Sequence, residues 1–275
     1  MKKQLSVVLA ATLGVLGASV FAGDEPGAEK AQMFCIYKEI VKPSKTQQYE
    51  KAVKYMISEF KEYQVDPAKV NWFTISGPEL GYIYVMPIDG WSGMDTMQTA
   101  WKEAIDAIGK EKFDDITAPM SEAMESIEIF QSIHREDLSY RPKNPRLSED
   151  EIGYAHYGFY YGIVGKSDEL EEIAKGFAEL YREAGIDTGF DIYQPVTGAD
   201  LPYIIVAQVA KSEADYFANR ERIREILGEK AKKLAEKVGA TVRKIEYKSG
   251  TPRPDLSYPT PDMMPAGHDE HGHDH

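Results

Sequence analysis

Two stretches decide the fold: Gly77-Pro-Glu-Leu-Gly-Tyr-Ile-Tyr-Val85, and its answer 121 positions later, Gly198-Ala-Asp-Leu-Pro-Tyr-Ile-Ile-Val206. Asp137-Leu-Ser-Tyr140 returns as Asp255-Leu-Ser-Tyr258 after 118 positions, and Ile40-Val41 as Ile163-Val164 after 123. Three anchors in the same order at nearly constant spacing read as an internal repeat. They divide the chain into one half over residues 31–140 and another over 152–258, with 141–151 as a linker.

Each half has the same sequence of periodic patterns. A strand over 33–41 leads into a helix that places Tyr49, Val53, Met56, Phe60 and Tyr63 on one stripe, at three- and four-residue steps. Ser44-Lys-Thr-Gln47 resembles a capping box at its start. The counterpart helix begins at Ser167 and aligns Leu170, Ile173, Ala174, Phe177 and Tyr181. Strands are expected at 70–76 and 82–88, matched by 190–196 and 203–209. Helical stripes follow, and a strand closes each half at 126–133 and 241–247. Strand, helix, strand, strand, helix, strand is the ferredoxin-like split βαβ order.

The strands Tyr82–Met86, Tyr157–Val164 and Tyr203–Ala207 are apolar at both parities, which implies cover on both faces. The helices of each half suffice for one face only. The expected fold class is therefore α+β, with two ferredoxin-like (βαββαβ) repeats packed sheet-to-sheet as a pseudo-dimeric α+β barrel. This element order, with the Gly-x-x-Leu-x-Tyr-Ile-x-Val hairpin in both halves, resembles the dimeric α+β barrel superfamily, including its antibiotic-biosynthesis monooxygenase-like and NIPSNAP-like members. The resemblance covers nearly all of 31–258 and implies cofactor-free oxygenases, haem-binding enzymes or plain small-molecule binders. Shared fold does not choose among them.

The 275 residues carry 32 Lys+Arg against 45 Asp+Glu, a net charge of −13, which argues against nucleic acid or an anionic membrane surface as partner. Residues 1–22 read as a signal peptide: Lys2 and Lys3, an apolar run, then Val20-Phe21-Ala22 before Gly23. The expected location is periplasmic or secreted, with no stable membrane insertion after cleavage. The single cysteine, Cys35, precludes an internal disulfide and reads as a small buried hydrophobe.

His156 lies in the first strand of the second half, in phase with Tyr160, and both are candidate catalytic residues: the imidazole as general base or haem ligand, the phenol beside it. An offset of 123 aligns His156 with Met33. His134, followed by Arg-Glu-Asp, is expected at the surface. Tyr37, Trp72, Tyr82 and Tyr203 are candidate ligand-binding aromatics. Trp72 aligns with Ile192, an asymmetry that would suit a pocket kept in one half only. After Tyr258 a Pro-rich linker reads as disordered, and 259–275 ends in a His-rich tail. Its His268, Asp269, His271, His273 and His275 are candidate ligands for Zn, Ni or Cu. The sequence thus supports an exported small-molecule or metal-associated binding protein. A cofactor-free or haem-dependent monooxygenase-like enzyme is the alternative, and a non-catalytic interaction module a third reading.

Overall fold

The computed structural model describes residues 32–258; the expected signal peptide and His-rich tail lie outside the described residues. The first half runs β1 (Met33–Val41), α1 (Thr46–Glu62), β2 (Phe73–Gly77), β3 (Gly81–Ile88), α2 (Ser92–Ile108), α3 (Lys110–Ala123) and β4 (Met124–His134). The second runs β5 (Tyr154–Gly162), α4 (Ser167–Glu183), β6 (Asp191–Pro195), β7 (Tyr203–Ala210), α5 (Glu213–Thr241) and β8 (Val242–Pro252). Tyr49, Val53, Met56 and Phe60 are all buried on α1, as the periodicity requires. Ser44 caps nothing: it sits in a 3-10 turn ahead of α1, and Thr46 Oγ1 donates to the Pro43 carbonyl instead.

The strands close one antiparallel barrel in the order β1-β3-β2-β8-β5-β7-β6-β4. The two sheets face each other as expected, but they are also joined at their edges. One seam pairs Ile75 with Pro252 and Ser76 with Thr251; the other pairs Ser132, Ile133 and His134 with Pro195, Gln194 and Tyr193. The first seam needs glycine. A Cβ on Gly77 would lie 2.1 Å from the Ser249 carbonyl oxygen, so no larger residue lets β2 approach β8. The polar, Gly- and Pro-containing run 248–252 looks like loop in the sequence, yet it extends β8 and forms this seam.

Alternate residues face the helices or the lumen. In β3 the helix-facing Tyr82, Tyr84, Met86 and Ile88 are buried, whereas Ile83, Val85 and Pro87 are only half-buried. Phe34, Lys38, Phe130, Tyr157, Phe159 and Tyr193 also point into the lumen and are likewise half-buried. The helix side is packed, and the lumen holds a smaller cluster of its own, Tyr161, Tyr203 and Ile205 with Tyr157, Phe159 and Tyr193 against it, that leaves space at one mouth.

The repeated Asp-Leu-Ser-Tyr motif clasps each half to the other. After β4, Arg135 grips Asp137 and Glu171 of α4, Ser139 Oγ accepts the Ile192 N–H at 2.9 Å, and Tyr140 pairs with Phe190. After β8, Arg253 grips Asp255 and Glu50 of α1, Ser257 Oγ accepts the Thr74 N–H at 2.9 Å, and Tyr258 pairs with Trp72. Leu138 and Leu256 are fully buried between these contacts. Ser139→Ala and Ser257→Ala each orphan a buried N–H, and each is expected to cost about 1–3 kcal/mol in urea unfolding. A loss within error for both would show that the clasps do not secure the barrel.

The clasps also correct the alignment. Trp72 and Phe190 hold the same place, each bridged to the clasp tyrosine, so Ile192 is not the counterpart of Trp72 and an aromatic ring is kept in both halves. Cys35 is flanked by Met86 and Gln131 just as His156 is flanked by Gln208 and Ser249, which makes Cys35, not Met33, the counterpart of His156.

Candidate functional site

A cavity of about 420 Å³ opens at one mouth of the barrel, within the range usual for small-molecule sites. Both halves build it. β1 supplies Lys38, β4 Glu128 and Phe130, β5 Tyr161, β7 Tyr203, β8 Lys244, Glu246 and Lys248, and the loop between β6 and β7 adds Gly198, Ala199 and Asp200. The loop is long because Tyr193 pairs with Ile205, whereas Ile75 pairs with Ile83 in the first half. Gly198 has φ +105°, a conformation that favours glycine there.

The polar groups are ordered by one another. Lys38 donates to both Glu128 oxygens at 3.0 Å. Tyr161 donates to Glu246 at 2.9 Å, and Lys244 lies 2.7 Å from the same carboxylate and holds it below its ordinary range. Burial and the bond to Glu246 push the Tyr161 phenol up, so it stays protonated and a donor. Its ring stacks on Tyr203 with centroids 5.0 Å apart, and burial raises the Tyr203 phenol to about 12. The mouth is therefore floored by a buried, stacked tyrosine pair and edged by ammonium and carboxylate groups. Such a surface suits a small planar molecule with a polar edge.

Of the six described candidates, only Tyr203 lines this cavity. Tyr37 lies on the helix side of β1. Trp72 is 1% exposed in a packed cluster with Phe60, Trp101 and Tyr258, and Tyr82 is buried against α1 with its hydroxyl on Glu50. His156 and Tyr160 lie together in the sheet–helix layer of the second half, away from the mouth. The metal ligands of the tail fall outside the described residues. Among the described residues no cluster of three or more His, Cys, Asp or Glu is placed to hold a metal ion.

His134 is not a surface residue. It is 7% exposed, on the lumen side of β4, with Nε2 2.9 Å from Asp191 and its ring against Tyr193. Burial acts to raise the Asp191 carboxyl, but the bonds from His134 and Arg141 outweigh it and hold the group low. The sequence hides this pair because Asp191 comes from the other half.

Haem is one of the cofactors implied by the resemblance, and His156 is the residue that would hold its iron. Both ring nitrogens are buried without a partner, which suits a ligand to iron. The space does not. Tyr216 stacks on the imidazole with centroids 4.2 Å apart, and the adjoining cavity, lined by Gln208, Tyr216 and Arg220, is about 20 Å³, enough for one water. A macrocycle does not fit there, and the mouth is lined by neither His nor Cys.

No protein-family model matches the sequence, and no curated protein matches it. Among solved structures, an anthrone oxidase-like protein is similar at 14% identity and a TM-score of 0.52, over 82% of this chain and 92% of that one. A variant of chlorite dismutase from Candidatus Nitrospira defluvii is similar at 9% identity and a TM-score of 0.51, over 83% of this chain and 93% of the other. At such identities the likeness concerns the fold. Residues 32–258 have a ferredoxin-like α+β fold closed as one antiparallel barrel, the fold these two solved structures share.

Proposed function

We propose that the protein is a monooxygenase-like enzyme, working without a resident haem, that takes a small ring-bearing molecule into the mouth of its barrel. The observation that carries this reading is the open mouth of the barrel: a cavity of about 420 Å³ lined by stacked Tyr161 and Tyr203 with charged groups at its edge. The anthrone oxidase-like and chlorite dismutase fold neighbours support an oxidative reading of the chamber over simple storage. The open side of the tyrosine pair would hold a ring, and the lysines would favour its ionised, more easily oxidised form.

Anthrone is a suitable probe, because its methylene carbon becomes a carbonyl as one dioxygen is consumed, giving anthraquinone and water. Ala199→Trp places a bulky side chain in the exposed loop that walls the chamber, without touching the core. Oxygen uptake should match anthraquinone formation one for one and fall roughly tenfold or more in Ala199→Trp. Turnover no faster than the uncatalysed reaction, or equal rates in the two proteins, would sink the reading.

On the sequence alone we also propose export, and uptake of Zn, Ni or Cu by residues 268–275. Retention of bound Ni²⁺ after deleting 266–275 would refute the second.

A further inference from the structure

We propose that the chamber takes its ring-bearing ligand as an anion and that Lys248 recognises the charge; this rests on the chamber being the ligand site. The two carboxylates of the mouth are not equally supplied with cations. Lys38 and Glu128 satisfy each other, with both oxygens at 3.0 Å. Glu246 instead accepts from two donors and faces a second ammonium. The Tyr161 hydroxyl at 2.9 Å and the Lys244 ammonium at 2.7 Å occupy it, and Lys248 reaches it only at 3.8 Å. Two ammoniums thus share one carboxylate, and the looser of them is the deeper. The Lys248 side chain is 20% exposed against 47% for Lys244.

Lys248 also sits over an aromatic floor, with its ammonium 5.1 Å from the Phe159 ring centroid on the lumen side of β5. A partly buried ammonium with only a share of a counter-charge is left under-compensated, and an anion placed beside it restores the balance. The floor and the cation together select an aromatic carboxylate, phenolate or sulfonate: ring against Phe159 and Tyr203, charge against Lys248. The net charge of −13 opposes the approach of any anion. The preference must then come from the contact itself, which salt screens little.

The test is calorimetric titration of the intact protein with 2-naphthoate and with 2-naphthamide, its neutral counterpart. The wild type should bind the carboxylate at least about tenfold more tightly, at low salt and at high. Lys248→Met keeps the aliphatic stem over Phe159 and should abolish the preference without weakening the amide. Glu246→Gln removes the shared carboxylate and should enlarge it, an effect that loss of packing does not produce. Equal affinities in the wild type overturn the anion assignment and leave the chamber as ligand site. A preference undiminished in Lys248→Met overturns the role of Lys248. If neither probe binds, the chamber itself fails as the site.

Discussion

Trp72→Ala is expected to lower the unfolding free energy by about 4 kcal/mol. The indole is 1% exposed, lies 5.8 Å from Trp101 in a stacked pair, and meets Phe60 edge-on at 5.9 Å. Its Nε1–H also donates to the Leu256 carbonyl at 2.8 Å, so the ring holds the second clasp as well as the core. Truncation removes the packing surface, leaves a void that these neighbours close only in part, and loosens Tyr258, whose ring lies 5.5 Å away. Trp72→Phe should cost far less, because Phe190 does the same work in the other half. Urea unfolding followed by circular dichroism distinguishes the two variants. If the alanine variant lost less than about 1 kcal/mol, the clasp and the helix layer could not rest on this residue.

The fold was legible because it depends on local signals that recur. Apolar strands with too little helix to cover them demanded a second layer, and Asp-Leu-Ser-Tyr marked a structural part: both copies form clasps of the same geometry. The hairpin repeat was less faithful. Tyr82 and Tyr203 occupy the same place in the repeated motif, yet Tyr82 faces α1 while Tyr203 faces the lumen. In a strand a shift of one residue turns every side chain over, and the longer loop before β7 supplies that shift. Matching letters therefore suggested a shared role for two residues on opposite sides of the barrel wall.

The chamber was legible only in fragments. Lys244-x-Glu246-x-Lys248 places three charges on one face of a strand, a signal that could have been read as a polar face turned to a solvated interior. What no single strand reveals is the company it keeps. Lys38 and Glu128 come from one half, Tyr161 and Glu246 from the other, and only barrel closure puts them around one cavity. The partly buried His134–Asp191 pair escaped for the same reason, since its members meet across the seam between β4 and β6.

His156→Phe is expected to flatten the acid limb of the stability curve. Burial, with the nearby Arg220 charge, lowers the imidazole from its ordinary 6.5 to about 4. Between those values the unfolded chain carries a proton that the folded chain refuses, so stability rises with pH across this window and is lost as pH falls through it. The contribution is complete above the ordinary value and gone below about pH 4, and it amounts to about 3 kcal/mol. Phenylalanine preserves the stack on Tyr216 and has nothing to protonate. Wild type and variant should therefore differ in how much stability each loses between pH 7.5 and 4.5 by about 2–3 kcal/mol, with carboxylate titrations common to both cancelling in the comparison. Parallel losses would mean that the imidazole takes up its proton in place, and that the two ring nitrogens now lacking partners are reached by water. The layer between the second sheet and α5 would then be open to water, and close packing would no longer keep a macrocycle from His156.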